Sequence, residues 1–333
     1  MEDASGTTTY GYDNRDRLLS KTNNWTGMPA VSLHYTYDKN GNVSNIWSST
    51  SSGVNLVYNY DALSRLTNVL ANGGAAAGYG FDLAGNLQTM RYGNVVTNQY
   101  QYDRLNRLTN LVCTNVNGMV ANFYYQLGLT GNRTSLSESV NGASRTYQWQ
   151  YDQLYRLTNE NISTVGSVAY GLDAVGNRLS RSGGNAQNFT YNNNDWLTSD
   201  TYDSNGNTTA SSNTNYVYDA LNHLTSVNHG SSSIVFTYDG DGNRASKTVG
   251  GTTTWYLVDD RNPSGYVQVL EEHQGTTLSR VYNYGLGLIS QRQMPSGTVS
   301  YYGCDGHGST RFLTSTNGTV TDTYTYDPYG TEE

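Results

Sequence analysis

The sequence predicts an all-β fold in which about twelve β-hairpins form a continuous curled or spiralling sheet, with little or no helix. Three observations lead to this prediction. A pair formed by an aromatic residue and Asp recurs along the chain, mostly at intervals of 19–25 residues. The residues before each pair alternate between apolar and polar, as in a half-buried strand. No window carries the sustained i, i+3, i+4, i+7 apolar spacing of a helix. A fixed period of this length indicates a repeat architecture.

The repeat is clearest in "YNYDALSRLTNV" at 58–69, "YQYDRLNRLTNL" at 100–111 and "WQYDQLYRLTNE" at 149–160. Degenerate copies at 124–136 and 191–199 bring the number of units to about twelve. The anchor pairs, with Leu once in place of the aromatic residue, are Tyr12-Asp13, Tyr37-Asp38, Tyr60-Asp61, Phe81-Asp82, Tyr102-Asp103, Tyr151-Asp152, Leu172-Asp173, Tyr202-Asp203, Tyr218-Asp219 and Tyr238-Asp239.

The anchors alternate between two kinds from residue 13 to residue 243. One kind reads D-x-x-x-R-L, as in "DRLNRL", and the other reads D-x-x-G-N, as in "DLAGN". The larger unit is therefore a pair of repeats, about 40–50 residues long. The sequence by itself supplies no physical reason for this doubling.

Each anchor is predicted to be a tight turn. Asp at the first position of a type I turn accepts a hydrogen bond from the backbone two residues later. Gly at the fourth position supplies the positive φ that closes a hairpin loop with a bulge. In the R-L kind the fourth residue is Asp16, Ser64, Asn106, Asp195 or Asn222, and Asn and Asp are the non-Gly residues that best tolerate this conformation. Tyr155 is the exception. The predicted turn residues are Asp13, Asp38, Gly41, Asp61, Asp82, Gly85, Asp103, Asp152, Asp173, Gly176, Asp203, Gly206, Asp219, Asp239 and Gly242.

The segments that lead into the turns are predicted to be strands with one aromatic face. In "RTYQWQYD", aromatic residues alternate with Gln, which gives the period of two that is typical of a strand. Cross-strand aromatic pairs of this type contribute roughly 0.2–1 kcal/mol each. The predicted strand aromatics are Tyr35, Tyr37, Tyr58, Tyr60, Tyr100, Tyr102, Tyr147, Trp149, Tyr151, Tyr216, Tyr218, Phe236 and Tyr238.

Twelve hairpins give too many strands for a flat sheet. Roughly 24 strands about 4.8 Å apart would span about 115 Å, which closes once into a ring about 37 Å across. Open twisted sheets rarely exceed about ten strands without curling or splitting. We therefore expect a hollow shell, a tube or an arc, and the alternative is a sandwich of two flattened layers.

Composition excludes several classes of protein. Only 14% of the 333 residues are charged, yet the chain has 30 Tyr and a mean hydropathy of -0.62. Disordered chains are charge-rich and aromatic-poor instead. A net charge of -8 with three Lys argues against binding to nucleic acid or to anionic lipid. No apolar run approaches the roughly 20 residues of a membrane span, and no signal peptide is visible at the N-terminus.

No catalytic, cofactor-binding or metal-ligating constellation is predicted, and we expect no enzyme activity. Cys113 and Cys304 are too few for a disulfide framework. "DGDGN" at 239–243 resembles a calcium loop, but the residues that follow depart from the EF-hand pattern. Glu271 and Glu272 are adjacent, so their side chains point to opposite faces of a strand, and we expect both to be solvated.

The repeats, together with "GNRLS", "DRLNRLTNL" and "YDALNHLTSV", resemble the RHS/YD-repeat family. Residues 1–250 carry the repeats. After residue 250, "YNYGLGLISQRQ" and "YYGCDGHGSTRFLTSTNGTVTDTYTYDPYG" resemble the start of the RHS-associated core region, so residues 251–333 are predicted to continue the same sheet.

The resemblance implies a hollow cocoon of β-hairpins that encloses a C-terminal toxic or effector segment. We therefore expect a non-enzymatic β-shell of an RHS-type bacterial exported or polymorphic-toxin protein, secreted or on the cell surface, with its effector missing here. Self-assembly is a further possibility for its partners. "DPYG" at 327–330 resembles the earlier core motif of the family and not its self-cleavage motif, so no cleavage residues are predicted. The alternative is an extracellular carbohydrate-binding or cell-surface adhesion module whose aromatic ladders contact glycans.

Overall fold

A computed structural model describes residues 1–184, 186–262 and 264–332. These residues form β-strands, turns and loops without any helix, which confirms the all-β prediction. In the described part of the chain no helix exists that would be long and apolar enough to cross a membrane. The strands pair antiparallel in two sheets, one of 18 strands and one of 13.

Up to residue 249 the described chain forms 24 strands, the number that the repeats predict. The strands are β1 (Glu2–Asp3), β2 (Gly6–Tyr12), β3 (Leu18–Trp25), β4 (Val31–Tyr37), β5 (Val43–Ser48), β6 (Asn55–Tyr60), β7 (Leu66–Ala71), β8 (Gly74–Phe81), β9 (Leu87–Tyr92), β10 (Thr97–Tyr102), β11 (Leu108–Asn115), β12 (Gly118–Leu127), β13 (Arg133–Val140), β14 (Ala143–Tyr151), β15 (Leu157–Ile162), β16 (Gly166–Leu172), β17 (Arg178–Arg181), β18 (Gln187–Asn188), β19 (Thr201–Tyr202), β20 (Thr208–Ser211), β21 (Thr214–Tyr218), β22 (Leu224–His229), β23 (Ser232–Tyr238), β24 (Arg244–Val249), β25 (Thr252–Asp259), β26 (Gln268–Gln274), β27 (Thr277–Tyr284), β28 (Leu288–Gln293), β29 (Thr298–Cys304), β30 (Thr310–Thr314) and β31 (Val320–Thr323).

The 18-stranded sheet contains β1–β18 and the 13-stranded sheet contains β19–β31. Between them, at residues 189–200, the chain makes an isolated bridge from Tyr191 to Leu197. The degenerate repeat "YNNNDWLTS" lies in this interval. The pairing of successive strands is therefore interrupted where the sequence departs most from the repeat pattern.

By contact density the chain divides into two compact units, each built from two chain segments. Unit 1 contains Met1–Gly78 and Thr201–Tyr301, and unit 2 contains Tyr79–Asp200 and Tyr302–Glu333. The division of the sequence at residue 250 stays a prediction about repeat type.

Most hairpins carry a β-bulge next to the anchor Asp. Gln101 pairs with Asn110, whereas Tyr102 pairs with Leu108, so Thr109 is the extra residue. The Thr109 hydroxyl donates to the Gln101 carbonyl oxygen, 3.1 Å away. The same register shift recurs at the anchor aromatics of the other hairpins, namely Tyr12, Tyr37, Tyr60, Tyr151, Tyr218 and Tyr238. A bulge adds local twist to a strand pair. The Thr of the "RLT" motif is the extra residue of the bulge, and its hydroxyl group holds it to the partner strand.

Each unit has its own apolar core. In unit 1, Leu33, Leu56 and Leu257 are completely buried or nearly so. In unit 2, a cluster around Phe123 and Leu111 includes Phe312, which is 1% exposed. Both cores therefore combine side chains from the two chain segments of their unit. In each unit the later segment completes the apolar core that the earlier repeats form in part.

Candidate functional site

The repeated turn is organised by one carboxylate. At Asp103, Oδ1 accepts hydrogen bonds from the backbone N–H groups of Leu105 at 2.8 Å and Arg107 at 3.0 Å. Oδ2 accepts from Arg107 Nε at 2.7 Å. The backbone closes the loop, because Asn106 N–H donates to the Asp103 carbonyl oxygen at 3.0 Å. A single half-buried side chain thus fixes five residues.

The structure places every predicted anchor Asp in such a loop. Asp13, Asp61 and Asp152 each pair with an Arg four residues later. Asp219 pairs in the same way with His223 at 3.0 Å. In the other kind of turn, the side-chain amide of an Asn four residues later donates to the carboxylate; the acceptors are Asp38, Asp82, Asp173, Asp203 and Asp239.

Both kinds of turn need positive φ at the fourth residue. The predicted glycines have φ between 82° and 105°; they are Gly41, Gly85, Gly176, Gly206 and Gly242. The fourth residues of the R-L kind have φ between 58° and 64°; they are Asp16, Ser64, Asn106, Asp195 and Asn222. Tyr155, the exception in the sequence, has φ 59° as well. The Asp152 carboxylate accepts the same hydrogen bonds as in the other turns, and these hold a bulky residue in an unfavourable conformation.

The two kinds of turn differ in how they contact the next turn. Arg107 Nη1 donates to the Gly128 carbonyl oxygen at 3.0 Å, and Arg156 Nη1 donates to that of Asp173 at 2.7 Å. Each acceptor is the first residue of a following turn of the G-N kind. These two Arg turns therefore each bind the backbone of the Asn turn that comes after them.

The Asn turns continue the series. Asn86 Nδ2 donates to Asn106 Oδ1 at 2.9 Å, and Asn177 Nδ2 donates to Asp195 Oδ1 at 2.8 Å. Asn42 reaches Ser64 Oγ, and Asn207 reaches Asn222 Oδ1, in the same way. In these four pairs the acceptor is the fourth side chain of an R-L turn, where a polar residue stands instead of Gly. The Asn of the Asp239 turn differs, because Asn243 Nδ2 donates to Asp260 Oδ2 at 3.2 Å. We call this set of contacts the turn ladder. The turn ladder gives a physical reason for the alternation of the two kinds of turn, which sequence analysis did not find. The polar residues at the fourth position of the R-L turns were the feature of the sequence that indicated it.

The anchor tyrosines use their hydroxyl groups. Tyr102 donates to the Leu87 carbonyl oxygen at 2.9 Å, and Tyr37 donates to that of Leu18 at 2.7 Å. Tyr60, Tyr151 and Tyr238 make the equivalent bond to Val43, Arg133 and Leu224. Phe lacks this donor, so the geometry accounts for the excess of Tyr over Phe.

The remaining predicted strand aromatics lie on buried or half-buried positions of their strands. Tyr35 is 2% exposed, and its hydroxyl donates to Asp259 Oδ1 at 2.9 Å. Tyr147 and Trp149 stack with ring centroids 5.7 Å apart. Phe236 lies under the Arg244 guanidinium. Tyr58, Tyr100, Tyr216 and Tyr218 are half-buried. The structure does not bring these aromatics into one site.

Unit 1 buries ionised groups that sequence analysis did not select. Lys21, completely buried, pairs with Asp260 at 2.9 Å. The prediction that Glu271 is solvated is wrong: its side chain is completely buried and accepts hydrogen bonds from Ser48, Thr50 and His273. Burial acts to raise the pKa of Glu271, but these bonds and one from the Val54 amide outweigh it and lower the pKa. The partners of Glu271 in the loop at residues 48–54 are distant in sequence, so no local sequence pattern predicts these contacts.

Unit 2 also buries charged groups. Arg311, 6% exposed, donates to Glu138 Oε1 at 2.8 Å and to Asp305 Oδ2 at 3.3 Å. Its guanidinium carbon also lies 5.3 Å from the centre of the Phe123 ring. The pair joins β13 to β30 within the unit.

No reactive thiol or metal cluster emerges from the described residues. Cys113 and Cys304 are free, and burial raises the pKa of their thiols to about 12 and about 11. No group of three His, Cys, Asp or Glu side chains suited to a metal lies in residues 1–184, 186–262 and 264–332. The "DGDGN" turn makes protein contacts instead, with Asp241 Oδ2 accepting from the Tyr10 hydroxyl at 2.7 Å.

A cavity of about 710 Å³ opens in unit 2. We call it the aromatic cavity, because its walls include Tyr125, Tyr147, Trp149 and Tyr151. Two arginines and three carboxylates also contact it; they are Arg133, Arg311, Glu160, Asp305 and Asp327. Trp149 Nε1 donates to Glu160 Oε1 at 2.8 Å, which fixes the indole ring. A second cavity, of about 410 Å³, is lined by Arg145, Arg178 and Arg181.

Comparison with known proteins extends these observations. The tRNA3(Ser)-specific nuclease WapA of Bacillus spizizenii is 30% identical over 133 residues, which cover 39% of this chain and 6% of the relative. The tRNA nuclease WapA of Bacillus subtilis is 29% identical over a segment of the same length and coverage. The chain thus spans only a small part of the curated relatives that it matches.

Solved structures share the fold at low identity. The crystal structure of TcdB2-TccC3-TEV superposes with a TM-score of 0.80 and 16% identity, over 99% of this chain and 20% of that chain. The Tc holotoxin pore of Photorhabdus luminescens superposes with a TM-score of 0.72 and 16% identity, over 95% of this chain and 19% of that chain. The model of the Teneurin YD-shell family matches residues 1–118 and 125–332. The chain belongs to the Teneurin YD-shell family.

Proposed function

We propose that the chain is a non-enzymatic β-scaffold, the shell of an RHS-type bacterial exported or polymorphic-toxin protein, and that this shell encloses or presents a C-terminal effector. The observation that carries the proposal is the family match, which extends through both units. The turn ladder supports it, because bonds between successive turns join neighbouring hairpins in addition to the apolar cores of the two units.

The similar structures supply a second support. One of them is a TcdB2-TccC3 structure without the hypervariable C-terminal region, and it still superposes with a TM-score of 0.77 over 96% of this chain. That fold persists without its variable segment, as expected of a container that is separate from its contents. By analogy, the effector would be the main partner of this chain, and the assembled protein would act outside the cell that makes it.

We also propose that these residues carry no nuclease activity, although the WapA relatives are named as tRNA nucleases. The match covers 133 residues, which are 39% of this chain and only 6% of the B. spizizenii relative. The net charge of -8 opposes binding of a polyanion. Incubation of the purified chain with tRNA should leave the tRNA intact. Cleavage that co-purifies with the chain would refute this part of the proposal.

The scaffold role is tested on the protein that the complete gene encodes. Trypsin digestion should cleave the segment that follows residue 333 at least about tenfold more slowly in the intact protein than in the Arg107→Leu, Arg156→Leu double variant, because opening of the scaffold exposes its contents. Arg104→Leu, an exposed change within one of the same turns, serves as the matched control and should protect like the unchanged protein. Equal cleavage in the unchanged protein and the double variant, or a gene that encodes nothing after residue 333, would overturn the proposal.

A further inference from the structure

We propose that Lys21 and Asp260 of unit 1 join spontaneously in an intramolecular isopeptide bond, which is an amide between the lysine and aspartate side chains. Lys21 lies in β3, and Asp260 follows directly after β25, so the bond ties together the two chain segments of unit 1. The two residues are 239 positions apart in the sequence. The inference concerns a covalent modification of the chain and stands independently of the scaffold proposal.

The two reacting groups are already in contact. Lys21 Nζ lies 2.9 Å from Asp260 Oδ2. Because Cγ is one covalent bond beyond Oδ2, the nitrogen and the carbon are close to the separation of roughly 3–3.5 Å at which reacting atoms are poised. Lys21 stands opposite Tyr10 of β2 and Leu33 of β4, and Leu33 is completely buried. The lysine is therefore held between two paired strands and points at a single carboxylate.

The surroundings disfavour the charged forms of both groups. The Lys21 side chain is 0% exposed and that of Asp260 is 11% exposed. An ammonium group has three N–H donors, and within the described residues Nζ makes one hydrogen bond, to Asp260. Two charges taken out of water are costly unless further hydrogen bonds satisfy them. A neutral amide carries neither charge, so burial favours the product over the ion pair.

The reaction balances without an oxidant or any other reactant. The Lys21 ammonium group passes a proton to the Asp260 carboxylate, and the neutral amine attacks Cγ to form the Nζ–Cγ bond. The Cγ–Oδ1 bond breaks, and this oxygen leaves as water with two of the three ammonium protons. Asn243 Nδ2 donates to Oδ2 at 3.2 Å and so polarises the carbonyl group that remains. In the part of the chain that the structure describes, Oδ1 has no hydrogen-bond partner, so it is the oxygen that is able to leave.

Asp259 is suited to carry the second proton. Its side chain is completely buried, and Oδ1 accepts hydrogen bonds from the Tyr35 hydroxyl at 2.9 Å and from the Arg261 backbone N–H at 3.0 Å. Oδ2 has no hydrogen-bond partner among the described residues. Burial raises the pKa of Asp259, which makes it a stronger base than an exposed Asp. A positioned base of this kind typically accelerates a reaction by about 10²–10⁴-fold.

Mass spectrometry of the whole denatured chain tests the inference. We expect a mass that is lower than that of the sequence by one water molecule. Trypsin does not cleave after a lysine whose side chain forms an amide. The digest should therefore contain a branched peptide in which residues 18–39 are joined to residues 248–261. Fragmentation of this peptide should place the link between Lys21 and Asp260.

Four variants and a matched control assign the roles. Lys21→Arg and Asp260→Ala each remove one reacting group and should abolish both the mass loss and the branched peptide. Lys39→Arg is the control, because Lys39 is exposed, and it should leave both unchanged. Asp259→Asn should slow formation of the branched peptide at least about tenfold, and Asp259→Glu should restore the rate. Circular dichroism establishes that each variant is folded, so that the rates refer to folded protein.

The unchanged chain decides the question even where a variant fails to fold. A mass equal to that of the sequence after overnight incubation of the folded protein would overturn the inference and leave a buried ion pair. A loss of water without the branched peptide would overturn it as well, because Asp-Gly sequences such as Asp239-Gly240 lose water when the backbone cyclises. A branched peptide that persists in Lys21→Arg would contradict the assignment to Lys21.

Discussion

Two regions of nearly identical backbone, the Asp82 turn and the Asp103 turn, reach the same conformation with different chemistry. Both turns use Oδ1 of the Asp for the backbone and Oδ2 for a side chain four residues later. In the first turn that side chain is the neutral amide of Asn86, and in the second it is the guanidinium of Arg107. An amide has two donors and a guanidinium has five, so each has one to spare for the next turn.

The difference teaches why the repeat has a double period. Asn86 needs an acceptor side chain on the next turn, and Asn106 provides it. Arg107 needs only a backbone carbonyl, so the next turn is free to use Gly at its fourth position. Two successive Asn turns would lose the side-chain contact, because the second turn would carry Gly at its fourth position. Alternation therefore follows from hydrogen-bond complementarity between neighbours.

Acid should break both kinds of turn together, and this is the largest effect that we expect. A hydrogen bond from the Arg107 side chain holds the pKa of Asp103 below its usual 3.8, and the Asn86 side chain does the same for Asp82. A folded-state pKa below the unfolded value stabilises the protein above the unfolded pKa, and that stability is lost as pH falls through the lowered values. The midpoint temperature of thermal unfolding, measured by circular dichroism, should therefore fall steeply as the pH drops below about 3.8.

Substitution separates the two kinds in the same assay. In Asp82→Asn, rotation of the Asn86 amide restores a donor–acceptor pair. In Asp103→Asn, Arg107 has no acceptor to offer, so the loss of stability should be the larger of the two. Asp239 sharpens the comparison, because burial raises its pKa and its protonation should not destabilise. A midpoint that is constant from pH 7 to pH 2 would contradict the role of the carboxylates.

Removal of the Arg107 side chain, which connects its turn to the next one, should lower the free energy of unfolding by about 2 kcal/mol. This value is typical of hydrogen bonds to charged groups. Arg107→Leu loses the fork to Asp103 and the bond to Gly128. Arg104→Leu in the same turn removes an exposed charge and should change the free energy of unfolding by less than about 0.5 kcal/mol. Urea titration of the two variants measures the difference. Equal midpoints for the two variants would show that the link contributes nothing.

Substitution of Gly85 should cost about 1–2 kcal/mol, because Val disfavours positive φ. Gly85 has φ 89°, and no atom lies within 4 Å of the position that a Cβ would take, so only the backbone is strained. Gly176→Val should behave alike, and Gly242→Val should cost at least as much, because a Cβ there would also lie 3.3 Å from His223 Nε2. Asn106→Gly, at the matching position of the other kind of turn, should stay within about 0.5 kcal/mol, because the relief of strain offsets the lost bond from Asn86. Unchanged unfolding midpoints in all three Val variants would refute the assignment of these turns.

The strands and turns were predictable from the sequence because both depend on near neighbours. The period of two and the Asp-to-Gly spacing act within one hairpin, and the structure follows them from residue 13 to residue 243. Tyr155 was marked as an exception on propensity alone. Its φ of 59° shows that the hydrogen bonds around Asp152 override propensity.

The buried charges were not predictable, because their partners are remote. Glu271 next to Glu272 has the pattern of a solvated strand, yet its partners Ser48 and Thr50 lie more than 220 residues earlier. Arg311 and Glu138 are separated by 173 residues. The aromatic cavity has the same origin, since it combines β14 with the segment after Cys304. Period and spacing describe each strand and give no information on which distant segment covers it.

The anchor hydroxyl should contribute equally in both kinds of turn. Tyr102 precedes an Arg turn and Tyr37 precedes an Asn turn, and each donates to a carbonyl of the preceding hairpin. Replacement of either by Phe should cost about 1 kcal/mol, the usual value for one neutral hydrogen bond. Tyr12→Phe, at an anchor that is 54% exposed, is the control and should be close to neutral. Denaturant midpoints compare the three, and a loss confined to one kind of turn would mean that the hydroxyl bond is not a shared device.

The smallest effect is expected at the Asp219 turn, where His223 stands in the Arg position. Its ring bonds Asp219 at 3.0 Å and stacks on Tyr238 with centroids 4.6 Å apart. Arg17 shows what an Arg does there, since its guanidinium lies 4.5 Å from the centre of the Tyr37 ring and pairs with Asp13. His223→Arg keeps both contacts and adds a donor for the Asp239 carbonyl oxygen, so it should stabilise by about 0.5 kcal/mol. The reverse exchange, Arg17→His, lies in the same unit and should destabilise by a similar amount. If both exchanges moved the unfolding midpoint in the same direction, the two positions would not be equivalent. The turn ladder would then depend on the surroundings of each turn more than on the sequence of the turn.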